Sequence, residues 1–519
     1  MTEDLKCIST IILIKPDKTM SIFTSVKRLF KHSAIYGLGY IFNRVIVFLL
    51  LPLHTNIFPK SAMGVANLVY VYIGMLTIVY TFGLDVAFFR FYMLEDAKKA
   101  KKRIFTTAFL TVVAAAVVFS GLLFFGAEQI GRLAFSEEVR DLSINLTRLI
   151  KLGSGILFFD ALGFIPFLIL RAEEKSVAFI SYKFVNVLIN LAFNLYFILY
   201  LKQGIDAIFR ANLIASIATL LLLLPNALKY LNFSYSRATL KELFFFGIPY
   251  LPSTLSVWAM DSIDRIFLEH FKNVDAVGLY AQGAKLGMFM ALFVAAFRFA
   301  WHPFFLATSK QKDAKQVFSK ILTYVVLACG VVFLFFSLFI DDIVHISFGS
   351  FTILGKDYWS ATVVVPVIFL AYIFYAAYLN FLIGIYLYKK TKYLPLVTIT
   401  AMIGNLIANY MLIPHLGIMG AAWSRLIAYV IMATLLYFFA RRLYPVDYEW
   451  GRLTKLVLVF GAIFFVGRMD IFSGSILLKF VLFMGAPFAL LLVGFFHRAE
   501  IDHVLSMAKS VSFARSRSK

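Results

Sequence analysis

The sequence is poor in the residues that build disulfides and metal centres. It has only two cysteines, Cys7 and Cys329, among 519 residues, which is too few for a disulfide framework or a Cys-based metal site. Its eight histidines form no His-x-x-x-His pair that could hold zinc. It also has no P-loop that could cradle a nucleotide phosphate. We therefore predict no metal and no cofactor, and the missing P-loop argues against nucleotide hydrolysis by the chain itself.

Charged residues are also scarce. Only 15% of the residues are charged, whereas 61% are hydrophobic and the mean hydropathy is +0.85; soluble domains are about 45–50% apolar. Apolar runs recur from about residue 33 to about residue 496 and leave no room for a large soluble domain. The net charge of +22 comes from short basic clusters between these runs, which is typical of membrane topology rather than of a nucleic-acid groove. The composition predicts an all-α polytopic membrane protein with no nucleic-acid partner.

The apolar runs have the length of membrane-spanning helices, since about 20 residues cross a hydrocarbon core of about 30 Å. We predict fourteen spans, near residues 33–53, 64–86, 104–126, 147–170, 176–200, 204–226, 242–264, 275–305, 321–340, 360–387, 393–413, 417–440, 453–468 and 475–496. Roughly thirty basic residues fall in one set of alternate loops, against about seven in the other set. By the positive-inside rule, this bias predicts that both termini are cytoplasmic.

The sequence repeats itself after six spans. Three stretches recur at nearly the same distance along the chain: MGVANLVY around Gly64 with VGLYAQGA around Gly278, Asn190 and Asn194 with Asn405 and Asn409, and GIDAIFRANLIAS from Gly204 with GIMGAAWSRLIAY from Gly417. An even number of helices preserves the chain direction, so the halves are predicted to be parallel repeats related by an axis along the membrane normal.

The repeat predicts how the chain is divided. The predicted segments are a cytoplasmic stretch 1–32, a six-helix bundle 33–226, a cytoplasmic linker 227–241, a second six-helix bundle 242–440, two extra helices within 441–496 and a basic cytoplasmic tail 497–519. Met20 opens a segment that looks like an ordinary start. Residues 1–19 are therefore expected to be either a disordered extension or an artefact of the start site.

The stretch Gly247–Phe304 keeps several charges inside two predicted spans. A charge at the bilayer centre costs about 2.5–3.5 kcal/mol, so these side chains must face protein or water. Asp261, Asp264 and Arg265 share one face of span 7, where Arg265 can pair with Asp261. Two close carboxylates can share a proton or hold a cation; the alternative is a salt bridge that fixes the outer end of the helix. We predict ion coupling or gating by these three residues and by Asp160 in span 4.

Span 5 carries a polar stripe. Its members recur every three or four residues and therefore share one helix face: Lys183, Asn186, Asn190 and Asn194. Such a stripe either joins helices or lines a wet cavity, and the lysine favours a cavity. Arg44 in span 1 and Lys285 in span 8 are also predicted to line it, unless they form buried ion pairs with an aspartate. Lys479, near one end of span 14, can reach the headgroups instead.

Several motifs occur in a fixed order along the chain. They are GLDVAFFRF from Gly83, the RAEEK turn after span 4, GIPYLPS…DSIDRIFLEHF…VGLYAQGAKLG…AWHPF in Gly247–Phe304, and the YKKTK turn after span 10. Together they resemble the polysaccharide transporters, the O-antigen flippase branch of the multidrug/oligosaccharidyl-lipid/polysaccharide exporter superfamily, over about residues 30–445. The resemblance implies a V-shaped pair of bundles around a cationic cavity. The substrate-binding residues predicted from the resemblance and the polar stripe are Arg44, Arg90, Lys183, Lys285, Arg298, Asn186 and Asn190.

The resemblance also implies a function. The expected cargo is an undecaprenyl-pyrophosphate-linked oligosaccharide, moved from the inner to the outer leaflet of the bacterial cytoplasmic membrane for O-antigen, capsule or exopolysaccharide assembly. H⁺ or Na⁺ is the expected coupling ion, and membrane lipids, a polysaccharide polymerase or glycosyltransferases are expected partners. Three alternatives stay open: a lipid II-type flippase, a drug or cation antiporter that depends on acidic residues, and a membrane-embedded polymerase or ligase, for which the short outer loops offer few catalytic residues.

Overall fold

The computed structural model describes residues 48–232, 234–309, 311–497 and 500. Within these residues, twelve helices are long and apolar enough to cross a membrane. Two shorter apolar helices, Phe48–Ile57 and Ile476–Leu492, stand where the first and last spans were predicted. The all-α polytopic fold with about fourteen spans is therefore confirmed. Most of predicted span 1, including Arg44, lies outside the described residues, as does the predicted segment 1–19.

The first half contains most of the predicted spans as single helices. In the described residues, its helices are α1 (Phe48–Ile57), α2 (Lys60–Thr81), α3 (Leu84–Leu94), α4 (Lys98–Phe125), α5 (Ala127–Ala134), α6 (Glu137–Asp141), α7 (Leu146–Ala172), α8 (Ser176–Leu195) and α9 (Asp206–Tyr230). Span 2 is broken between α2 and α3 because Phe82 and Gly83 have φ angles of +49° and +68°, and left-handed residues interrupt a right-handed helix. The predicted loop 127–146 contains two short helices.

The second half is more broken. The described helices are α10 (Arg237–Gly247), α11 (Leu251–Ser262), α12 (Asp264–Phe271), α13 (Val274–Leu286), α14 (Met288–Thr308), α15 (Ala314–His345), α16 (Val365–Leu387), α17 (Tyr393–Leu416), α18 (Ile418–Leu443), α19 (Trp450–Gly467), α20 (Asp470–Ser473) and α21 (Ile476–Leu492). A 3₁₀ turn at Ile248–Tyr250 separates α10 from α11, because proline cannot donate a helical hydrogen bond. Pro249 and Pro252 therefore interrupt span 7. A short hairpin, β1 (Ser347–Phe348) with β2 (Phe351–Thr352), follows α15.

The described residues fall into two compact units. The first comprises those of Met1–Lys310 and Val344–Pro445, and the second those of Gln311–Ile343 and Val446–Lys519. Most of α15 therefore packs with α19 and α21, whereas the sequence assigned span 9 to the second bundle. Within the second unit, the prediction that the Lys479 side chain reaches the headgroups is wrong. It is buried, and its Nζ lies 2.6 Å from Oδ2 of Asp342, because a buried ammonium is stabilised by a partner charge.

The turn between α7 and α8, within the RAEEK motif, is held by Glu173. Its carboxylate accepts hydrogen bonds from the hydroxyl groups of Tyr92, at 3.1 Å, and Tyr230. Its other oxygen lies 2.6 Å from Lys175 Nζ. Burial by itself raises the pKa of the Glu173 carboxyl, but the hydrogen bonds from Lys175 and Tyr230 outweigh burial and hold the pKa below its usual value. The turn thus joins α3, α8 and α9 through one ionised carboxylate.

The two halves of the first unit meet where α2 crosses α13. These helices begin at Lys60 and Val274, which occupy equivalent places in the two repeats. A Cβ atom on Gly64 would lie 2.1 Å from the carbonyl oxygen of Val274, and a Cβ on Gly278 would lie 2.1 Å from that of Lys60. Only glycine permits so close an approach of two backbones. The contact is reciprocal, as a twofold relation between the repeats requires.

Candidate functional site

A cavity of about 390 Å³ lies inside the first unit. Helices α1, α2, α8 and α9 of the first half form most of its wall, and α13 of the second half contributes Lys285. Leu50, Met63, Ala66, Val187 and Ile208 give it an apolar base. Its polar lining consists of His54, Asn67, Tyr70, Asn186, Asn190, Asn212 and Lys285. The cavity has the mixture of apolar wall and few polar groups that is typical of ligand sites.

Lys285 is the cationic residue of this cavity. Among the described residues, its ammonium has no hydrogen bond and no ion pair, and its charged neighbour Arg265 repels it. Lys285 also lines a small cleft between α1 and α14, where the rings of Phe48 and Phe289 meet edge to face at 4.8 Å. An ammonium with only a like charge nearby attracts an anion. Lys285 therefore lines both the cavity and this cleft, where its ammonium can bind a negative group.

The polar stripe of α8 serves both roles that the sequence left open. Asn186 and Asn190 line the cavity. Asn194 is fully buried, donates to Asn190 at 2.8 Å and lies 3.1 Å from His54 Nε2 on α1. One end of the stripe therefore joins two helices, and the middle faces the cavity.

Lys183, at the other end of the stripe, is absent from the lining of this cavity. Its ammonium lies 4.2 Å from the centre of the Phe167 ring, a cation–π contact. It also attracts the exposed carboxylate of Asp160 on α7, although the described residues contain no direct ion pair between them. Asp160 and Lys183 thus form a separate polar pair inside the first half.

The three charges of span 7 belong to a buried network rather than to an open site. Asp264 is 1% exposed, and its Oδ2 accepts hydrogen bonds from Arg425 Nη2 at 2.7 Å and from Tyr280 at 2.6 Å. Arg265 Nη1 lies 3.4 Å from Asp264 Oδ1 and donates to the carbonyl of Asp261 at 2.9 Å. The predicted pairing of Arg265 with the Asp261 carboxylate is wrong, because among the described residues Arg265 forms its ion pair with Asp264. That carboxylate instead accepts from Tyr429 at 2.6 Å.

Two arginines balance the two aspartates of this network, so its formal charge is zero. The described residues contain no cluster of three or more His, Cys, Asp or Glu side chains that could hold a metal ion. The arrangement favours the alternative role of a salt bridge that fixes the helix, because ionised and hydrogen-bonded partners already occupy both oxygens of Asp264. Coupling to H⁺ or Na⁺ through Asp160, Asp261 or Asp264 stays a prediction.

The cavity and the ion-pair network occupy equivalent places in the two repeats. Three cavity residues stand one repeat before three network residues: Leu50 before Asp264, Ala66 before Tyr280, and Asn212 before Arg425. In the second half, large charged side chains hydrogen-bond to one another. In the first half, smaller or uncharged side chains stand at the equivalent positions, and a cavity is present.

The remaining basic residues predicted for the cavity lie elsewhere. The Arg90 guanidinium is 4.2 Å from the centre of the Phe246 ring on α10, and Arg298 Nη1 lies 3.4 Å from the Tyr375 hydroxyl. Neither lines the cavity of Lys285. Arg44 lies outside the described residues. The structure therefore brings together Lys285, Asn186 and Asn190 from the predicted set.

The cavity also contains polar residues that the sequence analysis missed. His54, Asn67 and Tyr70 are isolated polar residues in apolar helices, which usually serve only to join helices. Asn212 could have been found, because it lies within the repeated stretch from Gly204 and aligns with Arg425 of the second copy. A polar side chain at the same place in both copies indicates a shared interior position.

A pair of reciprocal contacts joins the two halves. The backbone N–H of Ser136 donates to Glu269 Oε1 at 2.8 Å, and the backbone N–H of Gly355 donates to Thr55 Oγ1, also at 2.8 Å. Glu269 holds the place in the second repeat that Thr55 holds in the first, so each half contributes one acceptor at an equivalent place. With the crossing at Gly64, these contacts join the halves at the end predicted to face outward.

Comparisons with known proteins agree with the fold. The sequence model of a family described as "Polysaccharide biosynthesis protein" matches residues 29–309. "Lsg locus putative protein 1" of Haemophilus influenzae is 20% identical over 292 residues, which cover 55% of this chain and 68% of that protein. These findings support the predicted resemblance to polysaccharide transporters.

Two solved structures share the fold. The lipid II flippase MurJ in an inward closed conformation has a TM-score of 0.71 at 14% identity and covers 87% of this chain and 97% of its own. An inward-facing multidrug resistance MATE family transporter of the MOP superfamily has a TM-score of 0.60 at 14% identity, with coverage of 84% and 97%. The predicted fold class is confirmed by these likenesses, which at such identities concern the fold alone.

Proposed function

This chain belongs to the polysaccharide biosynthesis protein family, and on that premise we propose that it is a flippase for a lipid-linked oligosaccharide. The cargo is an undecaprenyl-pyrophosphate-linked glycan, which passes from the inner to the outer leaflet during assembly of O-antigen, capsule or exopolysaccharide. The protein acts as a transporter and not as an enzyme. The observation that carries this proposal is the position of Lys285, which lines a cavity with a mixed apolar and polar wall and has no partner among the described residues.

The position of Lys285 also supplies a path for a lipid. Lys285 lines both the cavity and the cleft between α1 and α14. A pyrophosphate can therefore bind the ammonium from the cavity side while the polyprenyl tail stays in the bilayer beyond the cleft. Phe48 and Phe289 line the cleft, and in this proposal their rings move aside for passage. The lysine replaces part of the hydration of an anion that hydrocarbon would exclude.

Alternating access completes the cycle. Release on the outer side requires the contacts of Glu269 with Ser136 and of Thr55 with Gly355 to break. A membrane potential negative inside favours outward movement of an anion by about 2.3 kcal/mol per charge per 100 mV. H⁺ or Na⁺ resets the empty transporter. Asp160 is the candidate carboxylate for binding this ion, because it is exposed and because Lys183 attracts it without forming a direct ion pair.

A reconstituted transport assay tests the proposal. Purified protein is placed in proteoliposomes with an undecaprenyl-pyrophosphate-linked oligosaccharide, and outer-leaflet cargo is detected by an enzyme that cannot enter. A charged hydrogen bond contributes about 1.5–3 kcal/mol, so Lys285→Ala is expected to slow flipping about 10- to 100-fold. Lys285→Arg retains the charge and is expected to restore most of the rate. Lys229→Ala, which removes an exposed lysine at the end of α9, is the control.

Flipping at the wild-type rate by Lys285→Ala would contradict the proposed role of this ammonium. Absence of any flipping by the wild-type protein, with export of a small organic cation instead, would support the antiporter alternative. The balanced charges of Asp261, Asp264, Arg265 and Arg425 speak against a large acidic cation site in the described part of the second half.

A lipid II-type flippase is the second candidate, since MurJ shares the fold over 87% of this chain. Both cargoes are pyrophosphate-linked lipids, so Lys285 suits either one. Competition between lipid II and another undecaprenyl-pyrophosphate glycan in the same proteoliposomes distinguishes them. The expected location is the bacterial cytoplasmic membrane with both termini cytoplasmic, where a polymerase or glycosyltransferases can act as partners.

A further inference from the structure

In two of the four asparagines that line the cavity, one hydrogen bond fixes the orientation of the side-chain amide. Asn67 Nδ2 donates to the backbone carbonyl of Met63 at 2.6 Å. Asn186 Nδ2 donates to Thr219 Oγ1 at 2.8 Å, and the hydroxyl of Thr219 is itself a donor to the carbonyl of Ala215. A carbonyl accepts only, and a hydroxyl whose hydrogen is used must accept the next bond. In both asparagines, therefore, Nδ2 donates the hydrogen bond, and the other atom of the side-chain amide is the acceptor Oδ1.

The same reasoning fixes His54. Asn194 Nδ2 donates to the backbone carbonyl of Asn190 at 2.8 Å, so Asn194 Oδ1 is an acceptor. His54 Nε2, 3.1 Å from that oxygen, must then carry the hydrogen. In the neutral imidazole this leaves Nδ1 as an acceptor. His54 Nδ1, Asn67 Oδ1 and Asn186 Oδ1 have no hydrogen-bond partner among the described residues. We call these three atoms the acceptor wall.

The acceptor wall and Lys285 select different chemical groups. Phosphate oxygens are acceptors, so the acceptor wall offers them nothing and the ammonium of Lys285 offers up to three donors. Sugar hydroxyl groups donate, and they can satisfy the oxygens of Asn67 and Asn186. The cavity of about 390 Å³ lies near the lower end of the range for small-ligand sites. It has room for a small part of a glycan rather than for a long oligosaccharide.

We propose that the acceptor wall binds hydroxyl groups of the sugar next to the pyrophosphate, while Lys285 binds the pyrophosphate itself. This inference rests on the proposed flippase function. It divides the site into a part that recognises the charge shared by all such lipids and a part that distinguishes a glycosylated carrier from a bare one. With this division, the protein would not return the bare lipid at the same rate as it moves the glycosylated lipid.

A binding experiment with paired probes tests the division. The full chain in lipid nanodiscs is titrated with undecaprenyl pyrophosphate and with the same lipid carrying a single glucose, galactose or N-acetylglucosamine. Asn67→Leu and Asn186→Leu remove one acceptor each, from separate helices, at similar side-chain size. Asn226→Leu is the matched control, because Asn226 also lies on a helix of this half but is absent from the cavity lining. Lys285→Ala tests the charge.

The expected result is that wild-type protein binds the sugar-bearing probes more tightly than the bare lipid. Each leucine variant is expected to weaken binding of sugar-bearing probes about two- to tenfold and to leave the bare lipid unchanged, whereas Lys285→Ala weakens both. Equal binding of both probes by the wild type, or leucine variants that weaken both probes alike or neither, would overturn the division while the flippase function stands. No binding of either probe by wild-type protein would overturn the flippase function together with this inference.

Discussion

Replacing Asp264 with leucine is expected to destabilise the protein strongly. The carboxylate is 1% exposed and accepts hydrogen bonds from Arg425, whose side chain is 4% exposed, and from Tyr280. Leucine would leave the arginine charge buried without this partner, and removing one member of a buried ion pair costs about 3–5 kcal/mol. The expected change is therefore a loss of about 3–5 kcal/mol in the free energy of unfolding.

A second substitution tests whether this cost comes from the ion pair between Asp264 and Arg425. Asp264→Leu combined with Arg425→Asn reproduces the residues Leu50 and Asn212 that stand at the equivalent places in the first half. The double variant removes both charges of this pair and leaves Tyr280 without its acceptor, which costs about 1–3 kcal/mol. Arg265 loses its ion-pair partner in both variants. It is therefore expected to be more stable than Asp264→Leu alone.

Unfolding by SDS in mixed micelles, followed by tryptophan fluorescence, measures these free energies. Asp85→Leu, at an exposed aspartate of α3, is the control and is expected to change stability by about 0.5 kcal/mol or less. The reasoning is refuted if Asp264→Leu costs less than about 1 kcal/mol, or if the cost of the double variant equals the sum of the two single costs, since a direct ion pair must couple them.

Three other changes test separate parts of the molecule. A Cβ atom on Gly64 would lie 2.1 Å from a carbonyl oxygen, so the overpacking in Gly64→Val is expected to lower the free energy of unfolding by about 1–3 kcal/mol or more. Gly121→Val, with open space around it, serves as the control in the same SDS titration. The pKa of Glu173 is lowered, so its stabilisation is complete at neutral pH and is lost as pH falls through the pKa of the folded state. Glu173→Gln is therefore expected to reduce the fall in melting temperature between about pH 5 and pH 3, and a fall equal to that of the wild type would argue against this role. Asp342→Ala leaves the ammonium of Lys479 buried alone and is expected to lower the melting temperature, an effect that Lys479→Met in the same chain should relieve.

The membrane fold could be predicted because hydrophobicity is a local property. Runs of about 20 apolar residues mark the spans. Pro249 also acts locally, since its missing N–H interrupts the helix within one turn. The repeat was visible because Gly64 and Gly278 are required by the same close crossing in both copies. The first two signals depend on residues that are neighbours in sequence, and the repeat appears when two such local stretches are compared.

The partners of the buried charges could not be predicted because they depend on packing between distant helices. Arg265 was expected to pair with the carboxylate one turn away, at Asp261, but its side chain turns to Asp264. Arg425 reaches Asp264 from α18, a helix far along the chain. Lys479 is held in the same way by Asp342 from another helix. Spacing along one helix identifies which side chains share a face but not which other helix covers that face.

The relation between the cavity and the ion-pair network shows what a covalent repeat permits. A homodimer of identical halves with twofold symmetry must carry the same pocket twice, because every residue change appears in both subunits. In a single chain, Leu50 and Asp264 can differ although they occupy equivalent places. One copy can then specialise in mechanical strength and the other in recognition. The proposed cargo has a single charged head on one tail and requires only one pocket, which a single chain with two unequal halves can provide.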